Sequence, residues 1–584
     1  MKETLVLGID AGGTHTDAVL LACADTAAGR ELPAARLLAA AKTITRHEDL
    51  PASVREVLAA LAKDAPGGAF ARVARVTLGA TLAVNALVQD RADPVGLALS
   101  AGPGLDPRRF ALGEQVCVVP GGLDHRGVEV SPLRTEPLVR AAARWREEGV
   151  AAAACVGKFS PRNAAHELVM GETVRAAAPG LPVTLGHRLS GRLNFPRRVA
   201  TAYFNAAVQR LHNTFLDAVE QALSDVGIKA AVRLLKADGG AVPLPLSRRE
   251  PVQSILSGPA ASVMGVLALC GGDDAVRRGC SLLLDMGGTT TDLALFIDGS
   301  PVVDRDGMLL GGRRTLVRAL ASLSIGVGGD SRLTVENRDG APAVRVGPLR
   351  EGPARAFGGA RPTLLDACNV CNTEDGTDAT AGDTAASAAG LAELAARHGL
   401  APAELARLAV EDALGQVVEA VRVLTATVNA RPIYTLAALR AVREARPQCV
   451  RLVGGPAACV ARRLAAALAL PVATPPHADV ANAVGAALTL PTDALELYAD
   501  TGRRVLDVPA LELHERIDRT YRMDAARERA CLLLRERLAA AGVEDARVEV
   551  TEADVFATLD DGGYGSRDMR VTCQVTPGIA AVVG

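Results

Sequence analysis

Two near-copies of one octapeptide hold the residues of this 584-residue chain best suited to chemistry: Asp10-Ala-Gly-Gly-Thr-His-Thr-Asp17 and Asp285-Met-Gly-Gly-Thr-Thr-Thr-Asp292. Six of the eight positions are identical. Each copy follows a short apolar run, Leu5 to Ile9 or Leu282 to Leu284, and precedes another. That pattern predicts strand, glycine turn, strand. Glycines let backbone N–H groups and threonine hydroxyls close on phosphate oxygens, because no Cβ holds them apart. The expected phosphate contacts are Gly12, Gly13, Thr14 and Thr16 in the first copy, and Gly287, Gly288, Thr289 and Thr290 in the second. Asp10 and Asp285 are the expected catalytic carboxylates, placed to hold a divalent cation or orient a water. Neither copy carries the lysine of a P-loop or the G-x-G-x-x-G of a dinucleotide fold.

A third element sits late in the chain. Cys449 to Val453 reads as a strand, then come Gly454-Gly-Pro456 and an apolar helix from about Ala457 to Leu468. Gly454 and Gly455 would let a flat ring approach the backbone. Two phosphate loops and a late Gly-Gly turn resemble the actin, sugar-kinase and heat-shock-chaperone ATPases. That resemblance implies a two-lobed α/β fold around one nucleotide. Small residues in Ser257–Ser262 and Asp479–Ala487 would let two helices cross closely at the floor of the cleft.

These motifs must be positioned by two lobes. Residues 1–190 are expected to form the first lobe, 191–490 the second, and 491–584 a small α+β C-terminal appendage with one strong helix at 522–541. Helix patterns also cover 50–63, 403–427 and 435–445. Ser324 to Ser331 is glycine-rich and reads as a flexible turn.

Weaker substrate-contact readings fall on five residues, each with an open structural alternative. Thr81 and Asn85 share a helix face, but a helix cap would also explain them. His166 opens a helix after Asn163, where capping competes. Asp238 and Gly239 form an acidic turn that faces the cleft or simply connects two elements. Cys368-Asn-Val-Cys371 has no second cysteine pair to complete a tetrahedral site, so it reads as two incidental thiols.

Composition narrows the class. The chain is 49% hydrophobic and 22% charged, so it has apolar surface to bury. A formal charge of −2 and 3% aromatic residues argue against nucleic acid as a partner. No apolar run reaches the roughly 18 residues of a membrane helix. Eleven scattered cysteines suggest reduced thiols. A cytoplasmic protein is expected.

The ordered motifs resemble the hydantoinase A and 5-oxoprolinase family. They are Gly8–Thr14 with Thr16 and Asp17, Gly79–Leu87, Asn163–Glu167, Asp238–Gly240, Ser257–Ala260, Asp285–Asp292 and Ile325–Gly329. The sequence departs from the family at His15, where members often carry an aromatic. It departs again at Gly352-Pro-Ala-Arg-Ala-Phe-Gly358, which lacks the family's cysteine. The resemblance implies an enzyme that uses ATP and Mg²⁺ on a small cyclic amide. Phosphorylating the carbonyl oxygen creates a leaving group, and water then opens the ring. It also implies a hydantoinase-B-like partner subunit, hence an oligomer. Alternatives are the ATPase subunit of a ketone carboxylase and a small-molecule kinase. A chaperone-like ATPase would need a peptide-binding domain beyond residue 490.

Overall fold

The computed structural model describes residues 3–24, 32–46, 49–80, 87, 92–304, 307–338, 341–430, 444–543, 546–559 and 565–584. The helix expected at 435–445, and Thr81 and Asn85, fall wholly or mostly outside these residues.

The first sheet is built on β1 (Glu3–Ala11), β2 (His15–Ala24), β3 (Ala34–Ile44), β4 (Val73–Ala80) and β5 (Ala231–Leu235), in the order β5-β4-β1-β2-β3. β1 is antiparallel to β2 and parallel to β4, and β4 is parallel to β5. The short strands Ala241–Pro243 and Val582–Val583 extend its two edges. The sheet thus reaches past residue 190, and the end of the chain returns to it.

β1 is an unbroken apolar run because both of its faces are covered. Leu5, Leu7 and Ile9 pack with α1 (Leu50–Asp64) and α2 (Phe195–Asp225). Val6 points the other way, into a core shared with the second lobe.

The second lobe repeats this layout. Its strands are β6 (Cys280–Met286), β7 (Thr291–Ile297), β8 (Ser322–Ile325), β9 (Cys449–Val453) and β10 (Val472–Ala473). β6 is antiparallel to β7 and parallel to β9; β7 is antiparallel to β8; β9 is parallel to β10. Strand order and direction match those of the first lobe, so the duplicated octapeptide marks a duplicated fold. The outer face packs on helices at Leu364–Glu374, Pro402–Asn429 and Ala457–Leu468. Cys368 and Cys371 are buried in that core.

Two further helices, α3 (Ser257–Cys270) and α4 (Ala481–Leu488), lie between the sheets. Val6, Val19 and Leu21 of one sheet and Leu283, Ala294 and Phe296 of the other share one apolar core with them. Small residues permit the fit. A Cβ on Gly485 would lie 2.2 Å from the Ala261 carbonyl oxygen, one on Gly265 2.1 Å from that of Ala481, and one on Gly8 2.0 Å from that of Ala483. The close helix crossing expected from the sequence is present.

A parallel four-stranded sheet is inserted between β4 and β5, in the order Val183–Leu185, Ala152–Val156, Val95–Ser100, Val116–Val119. Residues 494–575 form an antiparallel five-stranded sheet covered by the helix Met523–Ala540. Among the described residues no helix is long and apolar enough to cross a membrane.

Candidate functional site

Both octapeptides are hairpins of identical register. Asp10 pairs with Asp17 across β1 and β2, and Asp285 pairs with Asp292 across β6 and β7. Each turn is closed by the same hydrogen bond. The Gly12 amide donates to the His15 carbonyl at 3.1 Å, and the Gly287 amide to the Thr290 carbonyl at 2.9 Å. The two loops meet, since a Cβ on Gly288 would lie 3.3 Å from Cγ2 of Thr14.

The four aspartates form one electrostatic group. Burial, then Asp17 and Asp285, push the Asp10 carboxyl up to about 7. Burial and Asp285 do the same to Asp292, also to about 7. Burial foremost raises Asp17 and Asp285 as well. Several side chains oppose this rise. Lys42 at the end of β3 lies 2.8 Å from Oδ1 of Asp17 and lowers Asp10, Asp17 and Asp285. Asn482 of α4 faces both Asp10 and Asp285 and lowers each. The Ser262 hydroxyl donates to Oδ2 of Asp285 at 2.5 Å.

The glycine-rich turn after β8 is not a free loop. Amides of Gly329 and Asp330 donate to the carbonyls of Gly287 and Gly288 at 2.9 and 2.7 Å. Asp330 is 3.0 Å from Arg350 and also accepts the Ala354 amide, inside the segment that departs from the family pattern. Burial and the Lys42 charge lower the His15 imidazole. Gly454 has φ of 99°, and a Cβ on it would lie 2.1 Å from the Met286 carbonyl oxygen. Any other residue would push the third turn away from β6. A Cβ on Gly13 or Gly455 meets nothing within 4 Å, so each leaves open space for a ligand.

These residues suit a hard cation. Oδ1 of Asp10 is buried with no hydrogen-bond partner among the described residues, and a Cβ on Gly79 would lie 2.4 Å from it. No three His, Cys, Asp or Glu side chains among the described residues form a protein-only cage. Mg²⁺ takes one or two carboxylates and completes its shell with waters and substrate phosphates. Asp10 and Asp285 match that donor set.

Several expected contacts lie elsewhere. Thr16 is fully buried, with its hydroxyl 3.0 Å from that of Thr45, and its counterpart Thr291 donates to the Val327 carbonyl at 2.6 Å. Strand alternation turns both inward. His166 lies in the inserted domain with Nε2 2.8 Å from Glu129. Its neighbour Glu167 is a buried organiser that accepts from the amides of Gly157 and His187. Asp238 lines a separate cavity, and Gly239 packs on Met264. Lys42 and Arg350 stand in no motif, and Asp330 and Asn482 lie in a glycine-rich turn and a small-residue helix that carry no chemistry by themselves. Only Asn482 left a local signal, as the single polar residue of an otherwise small and apolar helix.

Family profiles settle the kinship. The profile "Hydantoinase/oxoprolinase" matches residues 198–494, and "Hydantoinase/oxoprolinase N-terminal region" matches residues 6–178. The chain belongs to the hydantoinase/oxoprolinase family. Within and around this family, the chain is 28% identical over 399 residues to the caprolactamase subunit alpha of Pseudomonas jessenii. That match covers 63% of this chain and 54% of the relative, so the chain matches about half the relative's length. The crystal structure of the ATP-dependent caprolactamase from Pseudomonas jessenii superposes with a TM-score of 0.69 at 22% identity, covering 99% of this chain and 87% of the other. The nucleotide-free structure of acetone carboxylase gives 0.66 at 16% identity, covering 99% and 89%. The family member described here has the two-lobed α/β fold of the actin, sugar-kinase and heat-shock ATPases, with added small domains.

Proposed function

We propose that the chain binds Mg-ATP between its lobes and activates a small cyclic amide by phosphorylating its carbonyl oxygen. One observation carries this reading: Thr14 lies across from Gly288, 3.3 Å from where a Cβ would sit, and the side chain of Asn482 faces both Asp10 and Asp285. Two phosphate-type loops therefore converge on one carboxylate group. Open space at Gly13 and Gly455 leaves room for phosphates and a nucleoside.

In this reading the lactam oxygen attacks the γ-phosphorus and the bond to the β-phosphate oxygen breaks, releasing ADP. With loss of the ring N–H proton to solvent, the product is an O-phosphorylated imidate. Water adds to its carbon, and the C–N bond breaks as the nitrogen takes a proton. A second water attacks the carbonyl carbon of the resulting acyl phosphate, and the C–O bond to phosphate breaks to give carboxylate and phosphate. Such transfer depends mainly on positioning and on neutralised charge. A Mg²⁺ held by Asp10 and Asp285 would neutralise phosphate charge. Asn482 and Ser262 hold those carboxylates in place, and Lys42 offsets the charge at Asp17. The caprolactamase relative is named as an alpha subunit, and we propose a hydantoinase-B-like partner here as well.

The test is ATP turnover across hydantoins, lactams and simple ketones, with product analysis. Opened ring with ADP and phosphate supports the reading. A carboxylated ketone would select a carboxylase, and a stable phosphoester a kinase.

A further inference from the structure

His15 stands where the two loops meet. Thr16 turns inward onto Thr45, and successive side chains of a strand point to opposite faces. His15 and Asp17 therefore share the other face. Asp10 lies on it too, because it pairs with Asp17 across β1 and β2. That face is turned to the second lobe: Val6, on the same side of β1 as Asp10, packs into the core between the lobes. The His15 ring is half-buried. Its Nδ1 is 3.3 Å from Oγ1 of Thr14, and its Nε2 has no hydrogen-bond partner among the described residues.

The second lobe brings a carboxylate and a guanidinium to the same place. A Cβ on Gly288 would lie 2.6 Å from Oδ2 of Asp330 and 3.3 Å from Cγ2 of Thr14. Asp330 and Thr14 thus flank one glycine of the second loop. Arg350, at the end of the strand Ala341–Arg350, donates from Nε to Oδ2 of Asp330 at 3.1 Å. Among the described residues the charges that act on His15 are Lys42 of β3, Asp330 and Arg350. Lys42 is itself paired with Asp17, and Arg350 with Asp330. Burial and the two cations disfavour a charged ring, and Asp330 alone favours it. The imidazole is therefore neutral at pH 7. A phosphate bound on Thr14 would arrive beside this ring. Its negative charge favours the imidazolium, whose Nε2–H can donate to a phosphate oxygen.

We propose that His15 is a phosphate-binding residue of the nucleotide site, and that its ring takes up a proton as the phosphate arrives. This assignment rests on the Mg-ATP reading. The first loop then grips phosphate with a cation as well as with backbone amides, and the grip loosens as pH rises.

Calorimetry of Mg-ATP binding to the full chain, in buffers of different ionisation enthalpy, counts the protons taken up. At pH 7 the wild type should take up roughly half a proton more per ATP than His15→Gln or His15→Phe, because an adjacent opposite charge carries an imidazole across neutrality. Between pH 6 and pH 8 its ATP affinity should fall about tenfold more than theirs. Asp10 and Asp292, both at about 7, titrate in the variants as well, so the difference reports His15. Melting curves confirm that both variants fold. Adenosine, which has no phosphate, should show no such difference. Equal proton uptake by the wild type and both variants overturns the assignment and leaves ATP binding standing. A difference as large with adenosine overturns it too, because the proton would not answer to phosphate. No ATP binding by the wild type removes the Mg-ATP reading and this assignment with it.

Discussion

Asp10 and Asp285 are the next-to-last residues of β1 and β6, and the single side chain of Asn482 faces both. One amide on the interlobe helix α4 therefore lies beside the leading carboxylate of each loop. Asn482→Ala should lower kcat by about tenfold or more, the scale of one lost positioning hydrogen bond. Circular dichroism should show an intact fold. Full activity in that variant would mean that the two carboxylates position themselves without α4.

Asp285→Asn keeps the size of the side chain and an oxygen for the Ser262 hydroxyl, but removes a charge. Turnover should fall about 100-fold or more, as for loss of a group that acts in the transition state. KM for ATP should move by less than about threefold. Steady-state kinetics separates the two effects; a large rise in KM with kcat intact would make Asp285 a nucleotide-binding group only.

Gly485→Val tests the helix crossing. The new Cβ would fall 2.2 Å from a backbone oxygen of α3, which cannot swing aside as a side chain can. Overpacking of this kind costs about 1–3 kcal/mol or more. Thermal unfolding should show a clearly lowered Tm, while an equal change at Gly13, which faces open space, should leave Tm close to wild type.

Much of this architecture is legible in the residues, for a physical reason. Strands covered on both faces become continuous apolar runs, so β1 and β6 stand out, and the paired hairpins show as a repeat. β3 does not stand out. Its Ala34–Ile44 segment is rich in alanine, a helix former, and only pairing with β2 makes it a strand. Lys42 at its end was hidden with it. The motif suggests a phosphate contact at Thr16, and the strand's alternation turns that side chain inward onto Thr45. Asp330 and Arg350 act on the second loop through a turn whose sequence looks merely flexible. The amides of Gly329 and Asp330 reach the carbonyls of Gly287 and Gly288, and Arg350 joins through Asp330, contacts that no local pattern encodes.

His212 gives a pH signature of the first lobe. It is buried in α2, 3.0 Å from the Ser247 hydroxyl, and burial with the nearby Arg248 charge lowers its imidazole to about 4. The unfolded chain takes up that proton near the ordinary value of 6.5. Between these values the unfolded state binds more protons, so stability falls as pH drops from 6.5 toward 4. The full effect is about 3 kcal/mol. Urea unfolding at pH 7 and pH 5 should show a smaller pH difference for His212→Gln than for wild type. An identical difference in both would exclude this group as the source.

Oxygen tracing tests the central claim most directly. A cyclic amide turned over by the chain, together with any partner subunit it needs, is labelled with ¹⁸O at its carbonyl and incubated with Mg-ATP. Phosphoryl transfer to that oxygen, followed by attack of the second water at the carbonyl carbon of the acyl phosphate, breaks the C–¹⁸O bond and carries the label into inorganic phosphate; attack at phosphorus would leave it in the carboxylate. Mass spectrometry of the phosphate should therefore find ¹⁸O in proportion to the ring opened. Ring opening with unlabelled phosphate would contradict the account, in which the carbonyl oxygen is bonded to phosphorus and leaves carbon with it.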